Sequence, residues 1–251
     1  MIKIYYLTLF FSWLFSRKYT FGALIIKNYT FMKLINNLFG FAAIAVFTLS
    51  TTNVKAQEVD FGADVVSQYV WRGTQFGAGP HVQPWMSIAS GDLELGIWGS
   101  FPTTGGDAGH ELDLYASYSF GPASLTVTNY TFPGAGGAYA AEEGLFEDAY
   151  LEVSGGASVG PVDLTVGYFT EVEALYVEAA FSVGVVDVAL GYGSDDAETA
   201  FYAGGDSGLV NIAIGGSKDI KITEDYSLPV FSSFVYNPDA ESAFLVFGMS
   251  F

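Results

Sequence analysis

Residues 242–251 read SAFLVFGMSF, which puts Ala243, Leu245, Phe247, Met249 and Phe251 on one side of an extended chain. Ten residues of period 2 make a strand with one apolar face. Chain ends ordinarily fray, because nothing offsets the conformational entropy of the last residues. A stretch this apolar, running to Phe251, predicts a strand held to its final residue.

The same period fills the chain from Glu58 onward. In DLELGIWGSF (92–101), Leu93, Leu95, Ile97 and Phe101 oppose Asp92, Glu94, Trp98 and Ser100. In ELDLYASYSF (111–120), Leu112, Leu114, Ala116, Tyr118 and Phe120 oppose Glu111, Asp113, Tyr115, Ser117 and Ser119. PVDLTVGYF (161–169) and ALYVEAAFSV (174–183) repeat the pattern. Turn signals alternate in length: Gly91-Asp92, GPAS (121–124), VGPV (159–162) and VGVV (183–186) are tight, whereas 73–80, 102–109, 133–146 and 194–207 are long and Gly-rich or acidic. Short turns at one end and long loops at the other predict an antiparallel up-and-down meander. Twelve strands are expected, over 58–72, 81–90, 92–101, 110–120, 123–132, 147–156, 161–169, 174–184, 185–193, 208–222, 226–236 and 241–251.

Charge divides the chain in two. Six of the nine Lys and Arg residues lie within 1–56, while all 27 acids lie from Glu58 on, so the remainder carries three cations and a net charge of −24. Nucleic acid is excluded as a partner, since its phosphates would be repelled. Residues 32–56 have the layout of a secretory signal: Met32, Lys33, an apolar core from Leu34 to Leu49, and Val54-Lys55-Ala56 before Gln57. Residues 1–31 read as an upstream extension whose apolar run, Ile4 to Phe15, is shorter than the roughly 20 residues that cross a bilayer. Translation is expected to start at Met32, and residues 57–251 are expected to form the exported barrel. The absence of Cys excludes disulfides and thiolate chemistry.

A soluble acidic β-sandwich has the same period, so the direction of the apolar face decides the class. Aromatic residues at strand ends (Tyr69, Trp71, Phe101, Phe120, Tyr168 and Tyr192) suit two interfacial girdles. Lipid also demands that both sheet edges be closed. The expected fold is therefore an all-β transmembrane barrel of about twelve strands, with lipid as its surroundings. The stretch AFLVFGMSF resembles the terminal signature of Gram-negative outer-membrane barrels, which implies that Leu245, Phe247, Met249 and Phe251 form an assembly signal read by the barrel-insertion machinery. A second resemblance lies in ADVVSQYVWRGTQ (63–75): Ser67, Tyr69, Val70, Trp71, Arg72 and Gly73 are similar to the opening strand of the TorF-like porin family. That resemblance implies an outer-membrane barrel of porin type and no defined substrate.

Alternation assigns Arg72, Asp60, Asp64, Glu94, Glu111, Asp113, Glu152 and Glu178 to the lumen, where they would line a pore. Arg72, the single Arg from residue 57 on, is either a constriction charge or one half of a salt bridge to the wall carboxylates. A carboxylate-lined lumen favours small cations over anions. Neither catalysis, cofactor nor metal is expected. His110 is assigned to the outward face with no outward Ser level with it, and His81 faces inward. GAGG (134–137) lacks the Lys and helix of a phosphate cradle, and DDAE (195–198) lacks the spacing of a calcium loop. Twelve strands enclose little room, so Trp98, Tyr115, Tyr150 and Tyr176 could fill the interior of a non-conducting structural or adhesive barrel instead.

Overall fold

The computed structural model describes residues 58–105, 109–133, 149–194, 201–202 and 207–251. The expected strand at 147–156 loses its first residues to this limit. The signal at 32–56, the 1–31 extension, GAGG (134–137) and DDAE (195–198) fall outside the described residues altogether.

Among the described residues fourteen strands follow in order: β1 Glu58–Val66, β2 Tyr69–Trp71, β3 Thr74–Gly77, β4 His81–Ser90, β5 Leu93–Pro102, β6 Glu111–Phe120, β7 Ala123–Thr131, β8 Tyr150–Val159, β9 Val162–Phe169, β10 Ala174–Val183, β11 Val186–Ser194, β12 Gly208–Lys221, β13 Ser227–Asn237 and β14 Ser242–Ser250. Twelve of them form one closed barrel in which β1 pairs with both β4 and β14, and each of the others pairs with its sequence neighbours. All twelve-strand pairings are antiparallel. A single closed sheet has no second sheet to pack on, so the sandwich alternative is overturned. Closure also satisfies backbone groups that an open edge would leave unpaired.

The last residue is indeed held. Phe251 N–H donates to the Ala63 carbonyl at 3.0 Å, and Ala63 N–H donates back to the Phe251 carbonyl at 3.2 Å. Above that pair the seam runs through Asp64↔Ser250, Val65↔Met249 and Val66↔Gly248. Where β1 then leaves the wall, side chains replace backbone partners: Phe247 N–H donates to Ser67 Oγ at 2.9 Å, and Gln68 Nε2 donates to the Leu245 carbonyl at 2.9 Å.

Burial alternates opposite to a water-soluble barrel. Outward residues are large, apolar and uncovered, from Val59 and Phe61 (74 % exposed) on β1 through Leu125, Val166, Leu190, Ile214 and Phe234 to Leu245 and Phe247 on β14. Inward positions carry the polar residues, and Gln83, Ser100, Glu111, Asp113, Thr128, Glu152 and Asn211 are buried there. One outward patch departs from this rule. Asn129 and Thr131 of β7 share the outward phase of Leu125, yet both are buried, and Thr131 Oγ1 bonds Asn129 Oδ1 at 3.2 Å.

The first strand differs from expectation. Residues 58–72 do not run as one strand: the chain bends at Ser67–Gln68, and β2 pairs with β3 in a small separate sheet that is not part of the wall. Between them Arg72 and Gly73 both have positive φ, 47° and 80°, the backbone of a two-residue hairpin turn whose twist matches its strands. Glycine is required at the second position, because a Cβ there would collide with the Val210 carbonyl. Tyr69 and Trp71 consequently sit in the interior rather than in an interfacial girdle. Phe120 and Tyr192 remain outward and exposed, as the girdle reading expects.

Candidate functional site

The hairpin of β2 and β3 crosses the long-loop half of the barrel interior and touches the wall on several sides. Tyr69 Oη donates to Glu111 Oε2 on β6 at 2.8 Å. Arg72 reaches Glu152 on β8, with Nη1 at 2.6 Å from Oε1. Asn237 Nδ2 on β13 donates to the Gly73 carbonyl at 3.3 Å. Wall contacts on β6, β8 and β13 place the hairpin across the lumen.

Aromatic packing fills the space around it. Trp71 lies 5.7 Å from Tyr130 and 6.1 Å from Phe169, ring centre to ring centre. Tyr69 lies 5.6 Å from Trp98, and Phe76 stacks on Phe132 at 6.4 Å. Phe169, Ala174, Tyr176, Tyr202 and Val210 form a buried core, with Trp71, Tyr130, Tyr150 and Phe201 packed against it. This is a hydrophobic core inside an otherwise polar lumen, and the hairpin's aromatic side chains complete it.

Arg72 is the centre of the arrangement. Its guanidinium carbon sits 4.2 Å from the Trp71 ring centre and 4.4 Å from that of Tyr176, and Nη1 also donates to Tyr202 Oη at 2.6 Å. Guanidinium is weakly hydrated, planar and permanently charged, so it can be buried between ring faces if a carboxylate neutralises it. Glu152, 2 % exposed, supplies that carboxylate, and its second oxygen accepts from Tyr130 Oη at 2.9 Å. Of the two readings open for Arg72, the geometry matches the salt bridge. The partner lies across the interior on β8, not on a strand beside β1.

The eight acid and base positions assigned to the lumen separate into two groups. Arg72, Glu111, Asp113 and Glu152 lie in the plugged half; Glu111 and Asp113 are buried and closed off from water. Asp60 and Glu94 lie toward the short-turn ends of β1 and β5, and Asp64 and Glu178 lie between the two groups. Glu94 accepts from Tyr115 Oη at 2.8 Å, and Glu178 accepts from Asn211 Nδ2 at 3.0 Å. Of the aromatic residues expected to fill the interior, Tyr176 is fully buried, Tyr150 packs on Phe132 and Phe201, and Trp98 packs on Tyr69.

The short-turn half stays open. A cavity of about 370 Å³ is lined there by Asp163, Ser182, Asp187, Ser217, Ser233 and Phe231, with Ala180, Ala189, Ala213 and Gly215 leaving room. Ser158 Oγ donates to Asp163 Oδ1 and Ser182 Oγ to Asp187 Oδ1, each at 2.6 Å. Sequence reading missed Asp163 and Asp187 as lumen residues, although their strand phase was available. This part of the interior is a vestibule rich in hydroxyls and carboxylates.

The histidines show no nucleophile geometry. His81 is buried and its Nδ1 pairs with the Gly79 carbonyl at 2.7 Å, while His110 packs edge-on against the outward Phe101 at 6.4 Å. Among the described residues no group of three or more His, Asp or Glu side chains is arranged to hold a metal ion. No curated protein matches the chain. Residues 51–204 do match the model of a bacterial protein family of unknown function (Gcw_chp), and these residues are more than half of the chain and include β1 through β11 with the hairpin and its clasp on Glu152. The chain belongs to that family.

Proposed function

We propose that this protein is an outer-membrane barrel of a Gram-negative bacterium that acts as a small passive, cation-favouring channel, exported by a cleaved signal and not an enzyme. The inversion of burial carries the reading: apolar side chains point out and charged ones point in around a closed sheet. Only a non-aqueous exterior makes that arrangement favourable, since in water the large outward apolar surface would stay hydrated. Wall strands of 8 to 14 residues also suit the roughly 9–11 tilted residues of a membrane β-strand. The TorF-like character of Ser67 to Gly73 belongs to the same reading, as does an assembly role for Leu245, Phe247, Met249 and Phe251.

Charge sets the solute class. The vestibule is lined by Asp163 and Asp187, and Asp60, Asp64, Glu94 and Glu178 share the inward face elsewhere on the wall, whereas Arg72 is already engaged by Glu152, and Lys218 and Lys221 are exposed at the short-turn end of β12. A narrow wet space spans little more than the roughly 8 Å screening length of physiological salt, so the field acts on any permeating ion. Replacing Glu94, Asp163 and Asp187 by Gln, Asn and Asn should move the reversal potential in a salt gradient toward zero in planar bilayers. An unaltered potential would remove these carboxylates from the conduction path.

A second reading is supported by the hairpin itself, which closes the long-loop half and suits a non-conducting structural or adhesive barrel. Absence of conductance from the parent protein would favour it. Under either reading Phe251→Asp should lower membrane levels of the folded protein, because a charge would replace the ring that ends the seam on the apolar face. Normal levels of a heat-modifiable folded band would count against an assembly role for this residue.

A further inference from the structure

We propose that the wall side of the Arg72 clasp is a recognition site for guanidinium-bearing solutes, and that Arg72 is its built-in occupant. The site has the parts that such a cation requires. Glu152 offers a buried carboxylate, Tyr176 offers a ring face 4.4 Å from the guanidinium carbon, and Tyr202 Oη accepts a hydrogen bond at 2.6 Å. A planar fork that stacks and bonds at once distinguishes guanidinium from sodium or a simple ammonium ion.

Two of these parts, Glu152 and Tyr176, are also held by wall residues off the hairpin. Tyr130 Oη holds the second oxygen of Glu152, and Tyr176 Oη bonds Glu178 and accepts from Asn211 Nδ2 at 3.1 Å. Gly167 leaves the space into which Glu152 projects, since a Cβ there would overlap its carboxylate and crowd Arg72 Nη2. Removing Arg72 therefore leaves a formed acceptor with a carboxylate lacking its cation. Such preorganisation favours a replacement cation of the same shape. Arg72 itself pays for its position with a positive φ of 47°, a conformation that favours glycine, so the occupant is held against local strain. The carboxylates of the vestibule lie below the site and raise the local concentration of any cation that enters from the short-turn end.

This deepens the channel reading by naming a solute class, and it rests on that reading for transport but not for binding. Calorimetric titration of the folded barrel in detergent with ethylguanidinium tests binding alone, with neutral ethylurea as the control. Arg72→Ala should bind ethylguanidinium saturably and at least tenfold more tightly than the parent, ethylurea should give no saturable heat, and adding Glu152→Gln should abolish binding. Equal behaviour of parent and Arg72→Ala, or equal binding of ethylurea, would overturn the proposal. If Arg72→Ala does not fold, a Thr74→Cys reporter in the otherwise unaltered barrel serves instead. Ethylguanidinium competing with Arg72 should accelerate reaction of that thiol severalfold and ethylurea should not; no acceleration overturns the proposal. A barrel that binds without conducting keeps this site and loses the channel reading.

Discussion

Glu152→Ala is expected to release the hairpin of β2 and β3 from the barrel interior while leaving the wall folded. The substitution leaves the Arg72 guanidinium among Trp71, Tyr176 and Tyr202 without its carboxylate. Stranding one member of a buried pair costs roughly 3–5 kcal/mol, which offsets two or more of the hairpin's aromatic contacts at about 0.5–1.5 kcal/mol each. The hairpin can respond by leaving, because its sheet shares no backbone ladder with the twelve wall strands. Hydrogen exchange at residues 69–77 should then rise by two or more orders of magnitude, with exchange in β8 to β13 little altered. Replacing Arg72 and Glu152 together by Met should recover most of the protection, since an apolar pair leaves no charge stranded. Unchanged exchange at 69–77 in Glu152→Ala would show that the clasp does not hold the hairpin.

Val166→Arg and Thr165→Arg should differ sharply although they are adjacent on β9. Val166 is outward and exposed, paired across the ladder with Gly155 and Val177, so an Arg there meets lipid if the apolar belt lies in a membrane. The cost is about 2–4 kcal/mol near the bilayer midplane. Thr165 is inward and lies directly opposite Glu178. An Arg at that position meets an acceptor in a wet acidic space and should cost less than about 1 kcal/mol. Reversible urea unfolding from lipid vesicles measures both. Equal, small effects would mean that water surrounds the belt.

The barrel wall was legible in the sequence because its information is local. Period 2 in 92–101, 111–120 and 174–183 fixes which side chains share a face, and tight turns such as Gly121-Pro122 and Gly160-Pro161 fix where neighbouring strands reverse. Eleven of the twelve expected strands lie where wall strands lie, within a few residues at their ends. The inward phase of Glu94, Glu111, Asp113, Glu152 and Glu178 follows from the same alternation.

The plug was not legible, and the reason lies at Arg72-Gly73. Two short β-prone runs, Tyr69–Trp71 and Thr74–Gly77, flank a two-residue turn, but Arg is not among the residues that mark a positive-φ hairpin turn, so the run reads as the end of a long strand. What makes Arg72 acceptable there is its carboxylate partner 80 positions away, together with rings contributed by β10 and by Tyr202. The sequence by itself determined the wall, its inward and outward faces and its acidic character, because each depends on residues near in the chain. Only the tertiary structure decided that the first strand breaks, that Tyr69 and Trp71 turn inward and that Glu111 and Asp113 are sealed from water, because those outcomes depend on burial energies summed over strands that alternation cannot bring together.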